Sequence, residues 1–164
     1  MKLLKEIFPY VIIVMVVVLI RMFIITPVRV DGLSMVPTLK NGEILLLKKY
    51  DKKIKRFDIV VVDYQNTKLV KRVIGLPGEH IKYMNNKLYI NNKIVSENFI
   101  NTTTSDYDLK ELKFDFIPNN YYFVVGDNRN NSKDSRIIGL IHIDKIIGTT
   151  DFSLFPFDKF GKIK

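Results

Sequence analysis

A serine in a short turn is the first candidate for chemistry in this chain of 164 residues. Ser34 stands in the segment 32–39 (GLSMVPTL), where a glycine and a proline bracket it and predict an exposed turn. A serine hydroxyl is a weak nucleophile until an adjacent base removes its proton. Ser34 can therefore attack a carbonyl group only if another part of the chain supplies that base.

A lysine between apolar residues is the candidate base. Lys71 lies in the run 68–76 (KLVKRVIGL), where strand alternation puts Val73 on its own face and Val70 and Arg72 on the other. Burial against aliphatic side chains lowers the pKa of a lysine. A fall from the reference value near 10.4 to about 8 corresponds to roughly 3 kcal/mol. The residues alone leave an ordinary exposed lysine as the alternative.

A dense polar segment, 126–136 (GDNRNNSKDSR), separates two apolar runs. Its Asn and Asp content alone fits a solvated loop. The alternative is a network of hydrogen bonds and ion pairs that holds a site in place. In that network Asp134 and Arg136 pair with each other, and Ser132 bonds to a lysine amine.

The composition excludes several other kinds of site. The chain has no cysteine, which excludes disulfides, thiolate nucleophiles and cysteine-based zinc sites. Its histidines, His80 and His142, lie far apart and show no metal-ligand spacing. The net charge of +9 comes from dispersed lysines, which favours a solvated surface, with anionic lipid as the alternative partner. The sequence shows no compact basic stripe, so it does not predict nucleic-acid binding.

The N-terminal part is strongly apolar. Residues 7–25 (IFPYVIIVMVVVLIRMFII) are long enough to span a bilayer as a helix. Lys2 and Lys5 precede this run and favour a cytoplasmic N-terminus. The alternatives are a cleaved secretory signal and a buried core helix. The preferred interpretation has a cytoplasmic segment 1–6, a transmembrane anchor 7–25 and an extracytoplasmic domain 26–164.

The rest of the chain predicts a mainly β fold. Short runs rich in Val, Ile, Tyr and Phe alternate with Gly, Asn, Asp and Pro, and no later segment has clear helical periodicity. We expect one all-β domain after the transmembrane helix, either a barrel or packed antiparallel sheets. The predicted strands lie in 42–50, 57–64, 68–76, 80–84, 87–91 and 120–127, with hairpin turns at 84–87 and 91–92.

Two further segments have no clear strand pattern. Residues 95–118 are more polar and predict a surface excursion. The tail after Gly148 carries four phenylalanines in a short span. These aromatic side chains either pack against the β domain or contact the bilayer surface, and the sequence does not separate the two alternatives.

Taken together in this order, the segments resemble those of the type I signal peptidases. The resemblance covers this chain from Val28 to Gly148. The resemblance rests on an anchor followed by Ser-Met-x-Pro-Thr-Leu, an Asp-Ile-Val-Val strand, Lys-Arg-Val-Ile-Gly-x-Pro-Gly-Glu and Gly-Asp-Asn-Arg-x-x-Ser-x-Asp-Ser-Arg. The short length and single anchor are similar to the Gram-positive form of the family. Any one motif could arise by chance, but the ordered set is specific.

The resemblance implies roles for individual residues. Ser34 corresponds to the nucleophile and Lys71 to the general base, and the Ser34 backbone N–H to a donor of the oxyanion hole. The supporting residues are Ser132, which orients the lysine, and the charged group Asp134, Arg136 and Arg72. The positions that match the substrate-binding pockets are Val28, Val30, Met35, Leu69 and Val70.

Two positions depart from the family pattern. Some relatives have a serine two residues before the nucleophile that adds a second oxyanion donor, and here that position is Gly32. Phe57 stands where many relatives have glycine. The first departure puts the second oxyanion donor in doubt.

The implied function is removal of signal peptides after small-x-small sequences, by an enzyme held in the cell membrane. Its partners would be signal-peptide-bearing preproteins and the lipid bilayer, with no nucleic acid, no metal and no organic cofactor. One alternative is a self-cleaving Ser/Lys protease of the repressor type, which would need a DNA-binding domain. Another is a membrane-tethered β domain that binds a partner without catalysis.

Overall fold

The computed structural model describes residues 2–23, 25–49 and 53–163, and side chains are described outside 2–5 and 20–24. Most of the described chain after the first helix forms antiparallel β-sheets. The mainly β prediction is therefore confirmed.

The first element is helix α1, Lys2–Phe23. Its described side chains, residues 6–19, are exposed. Among the residues that the structure describes, no helix is both long and apolar enough to cross a membrane. The predicted span 7–25 includes residues 20–24, which lie outside the described side chains, and the anchor remains a prediction.

The larger sheet contains eight strands of the described chain, in the order β1-β2-β11-β3-β4-β9-β10, with β12 paired to β11. Their bounds are β1 Ile25–Arg29, β2 Ile44–Lys48, β3 Ile59–Tyr64, β4 Thr67–Gly75, β9 Tyr121–Val125, β10 Ile141–His142, β11 Ile146–Phe155 and β12 Gly161–Lys162.

The smaller sheet has the order β7-β6-β5-β8 in the described chain. Its strands are β5 Ile81–Met84, β6 Lys87–Ile90, β7 Lys93–Val95 and β8 Tyr107–Asp108. Both predicted hairpin turns are present, at Asn85-Asn86 (φ 51° and 61°) and Asn91-Asn92 (φ 49° and 65°). Asparagine tolerates this left-handed backbone better than other side chains do.

Strand β4 is the central element for the site. It is buried from Val70 to Gly75 and pairs on both edges, with β3 through Val60↔Lys71 and with β9 through Arg72↔Val125. Side chains of a strand paired on both edges point to the two faces of the sheet. Lys71 is buried, so its face of the sheet is covered by other parts of the chain.

Short helices complete the fold: α2 Ser135–Ile138 and 3-10 helices at Leu109–Leu112, Ile143–Lys145 and Phe157–Lys159. The prediction that 95–118 is only a surface excursion was wrong in part. Thr104, Leu109 and Ile117 in that segment are buried, and the two apolar residues belong to the core between the smaller sheet and β9.

Candidate active site

The turn that carries Ser34 follows β1 and is fixed by its apolar neighbours. Met35 and Leu39 are buried in the core cluster beneath the turn, and Leu39 N–H donates to the Met35 carbonyl at 2.9 Å. The Val36 N–H closes the turn on the Leu33 carbonyl at 3.2 Å. Ser34 itself is half-buried, because the residues after it point inward.

The amine of Lys71 lies against the Ser34 hydroxyl. Nζ is 2.7 Å from Ser34 Oγ and donates to the Val70 carbonyl at 2.9 Å. The lysine is 2% exposed. Two side chains that are 37 residues apart in sequence thus come within hydrogen-bond reach.

Burial lowers the pKa of Lys71 from 10.5 to about 8, although the nearby charges of Asp134 and Asp127 act to raise it. Desolvation disfavours the ammonium form, whereas the carboxylates favour it. Because desolvation is the larger effect, a substantial fraction of the amine is neutral slightly above neutral pH. A neutral amine beside a serine hydroxyl can accept its proton.

The backbone N–H of Ser34 itself is a free donor. Within the described part of the chain, the Ser34 N–H has no hydrogen-bond partner. The Gly32 N–H instead donates to Asn41 Oδ1 at 2.9 Å. Gly32 has φ +95°, a backbone region that favours glycine, so a serine here would be strained. Gly32 therefore does not supply the second oxyanion donor.

The polar segment 126–136 packs directly on the Ser34 turn. The Asn128 N–H donates to the Ser34 carbonyl at 3.0 Å, and Asn128 Nδ2 donates to the Leu33 carbonyl at 3.1 Å. Gly126 lies so close that a Cβ there would collide with the Ser34 carbonyl and the Ser132 side chain. This is a position where the backbone approach requires glycine.

Arg72 joins three motifs through Asp127. Its Nε and Nη2 donate to the two Asp127 oxygens at 2.8 and 2.7 Å, and the Thr38 hydroxyl donates to Oδ2 at 2.5 Å. The sequence reasoning grouped Arg72 with Asp134 and Arg136, whereas in the structure Asp127 is its partner. It did not single out Asp127 or Thr38, although both stand inside the motifs that it used.

Asp134 and Arg136 form the expected local pair, with Nε and Nη2 donating at 2.9 and 2.8 Å. Asp134 Oδ2 also accepts the Gly126 N–H at 3.1 Å, so the pair holds the loop beside Ser34. Ser132 Oγ is buried and has no partner among the described residues, so it does not bond to Lys71 here.

The candidate pocket residues divide between two clusters. Val28, Val30, Met35 and Val70 are buried together in one cluster beside the Ser34 turn. Leu69 packs against a different cluster, since it neighbours Val70 on a strand and faces the other way. Within the described residues, no three His, Asp or Glu side chains lie close enough to hold a metal ion.

Comparison with known proteins identifies the family. The family model described as "Signal peptidase, peptidase S26" matches residues 2–155. The chain therefore belongs to the signal peptidases of peptidase family S26, and it is an enzyme of the serine peptidase class.

Several curated relatives are similar over most of their length. The chain is 44% identical to a signal peptidase I of Bacillus amyloliquefaciens, covering 92% of this chain and 87% of the relative. It is 42% identical to signal peptidase I T of Bacillus subtilis, covering 94% and 86%. A crystal structure of a signal peptidase I from Enterococcus faecalis matches with a TM-score of 0.56 and 33% identity, over 58% of this chain and 95% of that one.

Proposed function

We propose that this chain is a membrane-bound serine endopeptidase that removes N-terminal signal peptides from secreted precursors after small-x-small sequences. Ser34 is the nucleophile and Lys71 the general base. The observation that carries the proposal is the 2.7 Å contact between Lys71 Nζ and Ser34 Oγ. Because the pKa of the buried lysine is lowered, its neutral amine can accept the Ser34 proton across this contact.

The reaction follows from the two groups. Neutral Lys71 takes the proton from Ser34 Oγ as the oxygen attacks the carbonyl carbon of the scissile bond. The free N–H of Ser34 donates to the resulting oxyanion. Lys71 then returns the proton to the leaving amine, and the signal peptide remains as an ester on Ser34. A water molecule, deprotonated by Lys71, hydrolyses that ester and restores the serine.

The supporting residues hold Ser34 and Lys71 in their relative positions. The hydrogen bond from Lys71 to the Val70 carbonyl restricts where the amine can point. The Asp134–Arg136 pair and Asn128 hold the loop that packs on the Ser34 turn. Ser132 has a buried hydroxyl with no partner in the described structure, and it is available to bond the amine as the proton moves.

The substrate class comes from the relatives, whose names describe signal peptidases. The apolar residues Val28, Val30, Met35 and Val70 beside the turn fit small aliphatic side chains before the scissile bond. Leu69 faces elsewhere and is the weakest member of the proposed set. Preproteins with a signal peptide are therefore the proposed partners.

Membrane attachment is also part of the proposal. Helix α1 exposes a continuous apolar surface over residues 10–19, which suits lipid better than water. The proposed arrangement is a cytoplasmic segment 1–6, an anchor over 7–25 and an extracytoplasmic catalytic domain over 26–164. The tail supports lipid contact as well, because Phe155, Phe157 and Phe160 are 45%, 82% and 61% exposed.

The direct experiment uses purified full-length protein in detergent and a precursor with an Ala-x-Ala site. Wild type should release the mature protein with the N-terminus that follows this site, and Ser34→Ala should release none. An equal yield of the same product from Ser34→Ala would contradict the proposal, as would no cleavage by either protein.

A further inference from the structure

The segment 96–104, here named the clamp segment, connects β7 to the strand β8 of the smaller sheet. Its sequence, SENFINTTT, predicts a solvated excursion. In the structure it instead packs on the polar loop 126–129, next to the Ser34 turn. Four of its side chains contact that loop or Arg72.

Glu97 makes the strongest of these contacts, with Arg129. The Arg129 Nη2 and Nη1 donate to the two Glu97 oxygens at 2.6 and 3.1 Å, and the two side chains are 0% and 6% exposed. Arg129 Nε donates in turn to the Gly126 carbonyl at 3.1 Å. A buried ion pair with two hydrogen bonds thus connects the clamp segment to Gly126, the glycine that lies against the Ser34 carbonyl.

Two threonines add to this attachment. The Arg129 N–H donates to Thr102 Oγ1 at 3.3 Å, and the Thr102 hydroxyl donates to the Asp127 carbonyl at 3.4 Å. Arg129 Nη1 donates to Thr104 Oγ1 at 3.0 Å. The clamp segment therefore holds both the backbone of Asp127 and the side chain of Arg129.

Phe99 covers the other ion pair of the site. Its ring centroid lies 4.0 Å from Arg72 Cζ, and its edge meets the ring of Phe57 at 5.1 Å between centroids. A guanidinium over an aromatic face at this distance is attracted by the ring and shielded from water. The shielded face belongs to the same guanidinium that holds Asp127.

We propose that the clamp segment positions the Ser34–Lys71 pair, and that Phe99 is its principal positioning residue, because its ring holds the Arg72 guanidinium against Asp127. The proposal rests on the proposed roles of Ser34 and Lys71. Phe99 acts through Arg72 and touches neither of them.

The contacts of the clamp segment also affect the protonation of Lys71. The charges that act on its amine are those of Asp134, which precedes α2, and Asp127, which follows β9. Each carboxylate is paired with an arginine, Asp134 with Arg136 and Asp127 with Arg72. The carboxylates of Asp134 and Asp127 raise the pKa of Lys71, whereas burial lowers it. Without the ring, water reaches Arg72 and its pairing with Asp127 loosens. Weaker desolvation and a less neutralised Asp127 both raise the pKa of the amine.

The test compares Phe99→Leu and Phe99→Tyr with wild type in the full-length protein in detergent. Leucine keeps the apolar bulk without an aromatic face, and tyrosine keeps the face. For Phe99→Leu we expect kcat to fall with little change in KM. The pH at half-maximal kcat should move upward, because a higher pKa of Lys71 leaves less neutral amine at a given pH. Phe99→Tyr should keep the wild-type profile.

A matched control is Phe114→Ala, which removes an exposed phenylalanine between β8 and β9 and should leave the profile unchanged. The titration of Lys71 is measured in parallel by NMR of labelled lysine, assigned with Lys71→Met. This second readout needs no turnover, so it reports on Phe99 even if wild type fails to cleave a precursor. A wild-type titration of Lys71 in Phe99→Leu, with only a lower melting temperature, would overturn the proposal.

Discussion

Arg72 and Asp127 form a buried, doubly hydrogen-bonded ion pair, with the Arg72 side chain 8% exposed and that of Asp127 0%. Thr38 donates its hydroxyl to the same carboxylate. The three residues come from the Ser34 segment, the Lys71 strand and the polar loop. Their meeting point holds these three parts of the chain in a fixed relation.

Removing one partner of this pair should strongly destabilise the protein. In Asp127→Ala the Arg72 guanidinium remains buried without its counter-charge, which typically costs about 3–5 kcal/mol in the free energy of unfolding. Thermal or denaturant unfolding in detergent measures the change. Lys110→Ala, which breaks an exposed pair with Asp115 at 3.9 Å, is the control and should cost well under about 1 kcal/mol. Equal losses for the two variants would contradict this interpretation of the pair.

The pH dependence of activity should report Lys71. The amine acts as a base only when neutral, and its pKa is lowered to about 8. The rate should therefore rise with pH through an inflection near 8 and fall about tenfold for each unit below it. Initial rates of precursor cleavage at a series of pH values on both sides of the inflection give the profile. A flat profile would show that neutral Lys71 is not the base, and an inflection near the ordinary lysine value would show that its pKa is not lowered.

Gly126→Ala should displace the Ser34 turn through a steric clash. The added methyl group would meet the Ser34 carbonyl and the Ser132 side chain, so the Ser34 turn must shift. Overpacking of this kind typically costs about 1–3 kcal/mol in stability. A displacement of a nucleophile by about 1 Å can reduce the rate roughly 100-fold. Measured kcat at a temperature well below unfolding separates the two effects, and a wild-type kcat would contradict the tight approach.

The exposed aromatic tail can be tested for lipid contact by fluorescence. The chain contains no tryptophan, so Phe157→Trp introduces a single reporter. In vesicles with anionic lipid its emission should shift to shorter wavelength and be quenched by lipids brominated near the headgroup, as for a side chain about 5–10 Å into the interface. The control is Phe116→Trp, at an exposed position before β9, which should stay unquenched. Equal behaviour of the two reporters would contradict lipid contact by the tail.

Much of the fold followed from local patterns, and the exceptions have physical reasons. The hairpins were predictable because Asn-Asn pairs accept the left-handed backbone that tight turns need. Strand β11 was missed as a strand, since Gly148 and Asp151, residue types that are depleted in strands, interrupt its apolar pattern. Phe57 has φ +70°, a left-handed backbone conformation that favours glycine, so a strand pattern does not predict it.

The sequence indicates candidate site residues but not the contacts between them. The motifs indicated Ser34, Lys71 and Asp134 as candidates, because the types of these residues limit the chemistry that they can perform. The partner of Arg72 and the contacts of Phe99 depend on segments far apart in the chain, and no spacing rule encodes them. The burial of Lys71 likewise depends on the parts of the chain that cover its face of the sheet, which only the fold supplies.

The central claim is that Lys71 activates Ser34 to form an ester with the signal peptide, and mass spectrometry tests it most directly. Full-length enzyme is mixed with precursor, quenched in acid and digested, and the adduct is mapped. Wild type should carry the signal peptide on Ser34, whereas Lys71→Arg should carry none, because a guanidinium stays charged and cannot take the proton. An adduct on another residue, or adduct formation in Lys71→Arg at the wild-type rate, would contradict the account.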